Sequence, residues 1–186
     1  KYNESNPVGN WWATGMLYRA DWARELGMYQ DQYTINEMLE LALAFAKEDP
    51  GNIGEGSVIG YADNAQWSYI IHAYNNYGRF FYQDETGEWR YGARDPETLE
   101  GLLVLKELYD EGGYWQDFFS STQGDAEALF GAGLLGIVQS NYNLKNLAKA
   151  RYWFNDAHPD LEFLDVVEYM NVTNANGQRW NWQNRS

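Results

Sequence analysis

The apolar positions of this chain change period several times, and each change marks an element. Met16-Leu-Tyr18 is a short apolar run that predicts a strand. The stretch through Leu26 then predicts a short helix stopped by Gly27, because glycine takes the left-handed conformation that ends helices. Ile35, Met38, Leu39, Ala42, Phe45 and Ala46 recur at helical spacing. Thr34 and Glu37 stand just ahead of that pattern, three residues apart. At that spacing each satisfies one free backbone donor of the new helix. A helix from about Ile35 to Glu48 follows, then a turn-rich loop, Pro50-Gly-Asn-Ile-Gly-Glu-Gly56.

Further along, Val58 to Ala62 predicts a short buried strand. Trp67, Ile70, Ile71 and Tyr74 fall on one helical face, and Gly78 ends that helix. Phe80-Phe-Tyr82 and Trp89-Arg-Tyr91 flank Asp84-Glu-Thr-Gly87 and predict a β-hairpin. Asp95-Pro96 predicts an N-cap with proline at the first helical position. That helix carries Leu99, Leu102, Leu103 and Leu108 and stops at Gly112-Gly113. A short helix over Asp125 to Phe130, a strand over Leu134 to Val138 and a helix capped by Asn141 come next. A final strand is expected over Leu161 to Val167, and from Asn171 the chain is polar and rich in turns. Strands alternating with helices predict an α/β layered structure.

Composition narrows the function classes. The 186 residues are 45% hydrophobic, enough to bury a core, and carry 13 basic against 27 acidic side chains for a net charge of −14. Nucleic-acid binding rests on neutralising phosphates, so this balance excludes a nucleic-acid partner and an anionic membrane surface. The absence of cysteine excludes a disulfide scaffold. Aromatic residues are abundant, with 9 Trp, 15 Tyr and 8 Phe. Most are expected in the core, but rings also suit the apolar faces of sugars.

Candidate chemistry is sparse. Gly131-Ala-Gly-Leu-Leu-Gly136 fits a dinucleotide fingerprint in letters, but the fingerprint must follow a strand and open a helix. Here it runs from a helix into a strand, so close backbone packing is the expected role and no cofactor is predicted. His72 and His158 stand apart, with no zinc spacing. Asp84, Glu85, Glu88, Asp110, Glu111, Asp125 and Glu127 offer acids for a hydrolase acting through a carboxylate pair, but turns and solvated helix faces account for them. The stronger candidates are aromatic. Trp67 and Tyr142 each open a helix just after a strand, and ligands in open α/β sheets sit at strand carboxyl ends. Asp63, Asn64, Gln66 and Asn141 offer partners for hydroxyls at the same edges. Trp11 and Trp12 precede the first strand and belong to the same set.

Several of these segments resemble one family in order and spacing. The strand ending Tyr18-Arg-Ala-Asp21, the Leu26-Gly27 turn and the Thr34-Ile-Asn-Glu37 helix start are similar to extracellular solute-binding proteins of ABC importers. Gly60-Tyr-Ala-Asp-Asn-Ala-Gln-Trp67 resembles their cleft-lining loop, and Phe130-Gly-Ala-Gly-Leu-Leu-Gly-Ile-Val138 their later strand. Ser140-Asn-Tyr142 follows where the family carries a ligand-stacking ring. The resemblance covers most of residues 16–168.

It implies an α/β fold, one lobe of a periplasmic-binding-protein type II architecture. That lobe is three-layered with a mixed sheet and incomplete in this chain. Residues 1–15 become a crossover or hinge segment, 16–168 the second lobe and 169–186 a return crossover tail. The two crossovers are expected to flank one edge of the sheet. It implies a binder and not an enzyme: capture of a solute, an oligosaccharide in this reading, by lobe closure. ABC permease subunits are the implied partners, with an extracytoplasmic location and a membrane link only through a lipid anchor of the full-length protein. A glycan-active hydrolase and an aromatic surface module for protein partners are the alternatives. The family's loop after the Asp-Pro pair holds calcium in some members. Here Asp49-Pro-Gly-Asn-Ile-Gly-Glu-Gly-Ser57 has few carboxylates, and calcium takes six to eight oxygens, so no metal is expected.

Overall fold

A four-stranded mixed sheet organises the chain. The computed structural model describes residues 14–54, 56–63, 68–121, 124–141 and 144–177. In chain order the elements are β1 (Thr14–Arg19), α1 (Ala20–Glu25), β2 (Tyr33–Thr34), α2 (Ile35–Glu48), β3 (Ile59–Asp63), α3 (Ser68–Tyr74), β4 (Phe81–Gln83) and β5 (Trp89–Tyr91). Then come α4 (Pro96–Asp110), α5 (Asp125–Gly131), β6 (Leu135–Asn141), α6 (Leu144–Ala157), α7 (Phe163–Val166), β7 (Val167–Met170) and β8 (Val172–Thr173). The main sheet runs β3-β6-β1-β7. β3 and β6 are parallel, and β1 is antiparallel to both β6 and β7. A parallel ribbon of β2 and β8 and a β4–β5 hairpin complete the strands.

Alternation along β1 divides the core in two. Met16 and Tyr18 face one buried cluster with Trp22, Ile35, Met38, Phe45, Tyr61 and Ile70. Leu17 faces another with Phe130, Val138, Phe154 and Phe163. α1 to α4 therefore cover one face of the sheet and α5 to α7 the other, which is the expected three-layer arrangement. Each fully buried Leu, Ile or Phe side chain contributes about 1.5–3 kcal/mol, so these two layers supply the main driving force.

Local signals fix the first half as expected. Thr34 Oγ1 accepts from Glu37 N at 3.3 Å, and Glu37 Oε2 accepts from Thr34 N at 2.7 Å, which completes the capping box. Gly27 has φ 68° beyond α1. The Tyr18-Arg-Ala-Asp21 run has a packing reason. Arg19 is 5% exposed, its guanidinium lies 4.2 Å from the Trp22 ring centroid, and its Nε donates to Asp21 Oδ1 at 2.8 Å.

Two expectations need correction, and two further findings lay outside the sequence reading. Asn141 ends β6 and does not cap α6, which starts at Leu144. The final strand is β7, and Phe163–Val166 is a helical turn. Phe163 and Val166 are three residues apart and both enter the second cluster, while Asn155 Oδ1 accepts from Phe163 N at 3.0 Å. Asp95 sits at the N-cap of α4 but makes no capping bond. Its carboxylate accepts instead from Asn75 Nδ2 at 3.0 Å and Tyr82 OH at 2.9 Å. Leu99, Leu102 and Leu103 of α4 are exposed, because the helix packs on α3 through Gly101, where a Cβ would lie 3.0 Å from Ile71 Cα. Among the described residues no helix is long and apolar enough to cross a membrane.

Candidate functional site

Three neighbouring strands present their ends at one edge of the sheet. β3 and β6 are parallel, with Asp63 opposite Gln139, so their carboxyl ends lie side by side. β1 runs the other way, with Thr14 opposite Asn141. Asp63, Asn141 and Thr14 therefore share the edge where ligands bind in open α/β sheets. β7 leaves at the same edge, since Met170 pairs with Met16. The described chain thus enters β1 and leaves β7 at one end of the sheet. The segments 1–13 and 178–186 lie outside the described residues.

Asp63 is set within an aromatic wall. It is 1% exposed and accepts from Tyr114 OH at 3.0 Å. Tyr114 is positioned because residues 113–115 run beside β3. Tyr61 N donates to Gly113 O at 2.9 Å and Trp115 N to Tyr61 O at 3.0 Å. The Tyr61 and Tyr114 ring centroids are 5.6 Å apart, and Phe118 meets Tyr114 edge-on at 5.2 Å. Burial pushes the Tyr61 and Tyr114 phenols well above their ordinary value, and the Asp63 charge adds to it. Burial raises Tyr69 in the same way. Desolvation disfavours each phenolate, so all three stay neutral.

The sequence pointed to Asp63 but missed Tyr61 and Tyr114 beside it. Tyr61 stood in the predicted strand as one apolar letter. Tyr114 followed the Gly112-Gly113 stop, in a stretch to which the pattern assigned no element. Of the other candidates, Asn141 lies in β6 with its backbone alone described. Trp11, Trp12, Asn64, Gln66, Trp67 and Tyr142 lie outside the described residues.

The chain matches no protein-family profile. It is 26% identical over 159 residues to the polygalacturonan/rhamnogalacturonan-binding protein YtcQ of Bacillus subtilis, covering 83% of this chain and 31% of that protein. Its fold superposes on the alginate-binding protein AlgQ2 with a TM-score of 0.67 at 20% identity, over 91% of this chain and 34% of that one. The ABC-transporter substrate-binding protein FusA of Streptococcus pneumoniae, solved with kestose, gives a TM-score of 0.63 at 16% identity, over 89% and 32%. The fold is that of one lobe of an ABC-transporter solute-binding protein. The chain spans about a third of the length of these relatives.

Within the lobe, the remaining candidates have packing roles. Gly131 closes α5 with its Cβ position 2.9 Å from Trp153 Cβ, and a Cβ on Gly133 would lie 2.1 Å from His158 Nε2. One on Gly136 would lie 2.2 Å from the Phe45 ring. The glycine run therefore serves close packing, as expected. Asp84 organises the hairpin turn, accepting from Thr86 Oγ1 at 2.6 Å and from Thr86 N and Glu88 N. Those bonds, the Thr86 hydroxyl first, hold its carboxyl below the usual range. Asp110 pairs with Lys106, and Glu111 with Lys47 at 2.8 Å. His72 is buried and stacks on Phe80, and His158 packs on Phe154.

Proposed function

We propose that this lobe forms one wall of an oligosaccharide-binding cleft in an extracytoplasmic solute-binding protein serving an ABC importer. The observation that carries the reading is the side-by-side placement of the β3 and β6 carboxyl ends. Trp67 follows one of them by four residues and Tyr142 follows the other directly. Rings at neighbouring strand ends stack on the apolar faces of successive sugars. Asn64, Gln66 and Asn141 meet their hydroxyls. Asp63, held by Tyr114, anchors the strand end from beneath. Trp11 and Trp12 belong to the segment read as the crossover between the lobes.

Closure of two lobes about the hinge is a population shift toward the ligand-bound form, and no bond is made or broken. Permease subunits receive the ligand, and a lipid anchor of the full-length protein holds it at the membrane. The hydrolase alternative finds no support. The named relatives are binding proteins, and the described acids Asp84, Asp110 and Glu111 serve turns and surface ion pairs.

The test is Trp67→Ala in the full-length protein, titrated with neutral and with uronate oligosaccharides. Loss of one stacking ring should weaken binding by about 1–3 kcal/mol, a tenfold loss for each 1.4 kcal/mol, with the melting temperature unchanged. An unaltered dissociation constant contradicts the assignment of Trp67.

A further inference from the structure

The loop after α2 keeps the frame of a calcium-binding loop and fills its interior with carbon. Twelve-residue calcium loops take ligands from positions one, three, five, seven, nine and twelve, with glycine at six for the sharp turn. Counted from Asp49, position six is Gly54, with φ 128°. Positions three, five and twelve are Gly51, Ile53 and Gly60, with no side-chain oxygen, and position nine is Ser57, a hydroxyl in place of a carboxylate. The family resemblance implies calcium in this loop in some members, and AlgQ2 is described as being without calcium ion. The residues here do not fit it.

The misfit is steric as well as chemical. A Cβ on Gly51 would lie 2.7 Å from Trp22 Cζ2 and 3.1 Å from Ile53 Cδ1. The indole therefore fills the space through which a third-position carboxylate would project. A Cβ on Gly60 would lie 1.9 Å from the Ala42 carbonyl oxygen, so position twelve admits no side chain. Ile53 at position five packs against the larger core cluster. At position one, Asp49 Oδ1 accepts from Ile53 N and Oδ2 from Gly54 N, both at 2.9 Å. The carboxylate thus ties two amides of the turn directly.

We propose that the turn 49–54 after α2 is a metal-independent clasp, closed by the Asp49 carboxylate and by Ile53 packed on the larger core cluster, and that it neither binds nor needs calcium. The junction between α2 and β3 then has the same geometry at every calcium concentration. This holds whatever the ligand of the lobe.

Thermal melts of the protein in millimolar calcium and in EDTA test it, with calorimetric titration of calcium chloride alongside. The melting temperature should be identical in both and the titration should show no saturable heat. Asp49→Ala should lower the melting temperature by about 2–4 °C, equally with and without calcium. A saturable, EDTA-reversible rise in melting temperature with calcium overturns the proposal. An Asp49→Ala protein that melts like the wild type overturns the clasp.

Discussion

Tyr114 donates its hydroxyl to Asp63 inside a wall of rings, and removing that single oxygen separates the bond from the packing. Tyr114→Phe keeps the ring and leaves a buried carboxylate with one donor fewer. Leaving a buried polar group unsatisfied costs about 1–3 kcal/mol, and at this chain length each kcal/mol moves the melting temperature by about 2–4 °C. A melt that shifts by less than a degree would show that Asp63 is held by other groups. The buried phenols also set an alkaline limit. Tyr61, Tyr69 and Tyr114 have raised pKa values from burial, so the folded state keeps protons that the unfolded state releases. Their stabilising effect is full below the ordinary value of 10.0 and is lost as pH rises above it. Ultraviolet titration should show these phenolates appearing only as the protein unfolds; reversible ionisation in the folded state would contradict their burial. Asp63 was legible in the sequence because it ends a strand. Tyr114 was not, because its contact spans 51 residues and no local pattern reports it.

α2 seats on the sheet through two glycines, and they differ in what would give way. A Cβ on Gly60 meets the Ala42 backbone carbonyl at 1.9 Å, whereas one on Gly136 meets the Phe45 ring at 2.2 Å. Backbone cannot turn aside and a ring can shift at a cost, so Gly60→Ala should be the more destabilising of the two. Overpacking of this kind costs about 1–3 kcal/mol, occasionally more; denaturant melts of both variants give the order, and equal or reversed effects would contradict this seating. α2 itself was legible from end to end, because its cap is written in Thr34 and Glu37 and its stop in the turn-rich run from Pro50. α7 was not. Phe163 and Val166 fit one helical turn or part of a buried strand, and the Asn155 contact that decides between them comes from another helix. The exposed leucines of α4 escaped the sequence for a related reason. Periodicity reports a face, but Gly101 and Thr98 chose which face packs.

At the scale of the molecule, the strand order β3-β6-β1-β7 brings segments far apart in sequence to one edge. The alternation of apolar runs gave the α/β class. The reversed direction of β1 came from no local signal, since pairing partners are set by closure of the whole core. In the proposed reading this lobe supplies one wall of a cleft, and a single wall leaves a sugar partly solvated. Binding then requires the partner lobe to desolvate the other face, because only the surplus over ordering and desolvation costs appears as affinity. Calorimetry of this lobe alone and of the full-length two-lobe protein, against the same series of oligosaccharides, tests that claim directly. The account predicts a saturable site for at least one oligosaccharide in the two-lobe protein, with the sugar recovered intact, and no tight site in the lobe alone. Sub-micromolar binding by the isolated lobe, or cleavage of the sugar by the full-length protein, would contradict it.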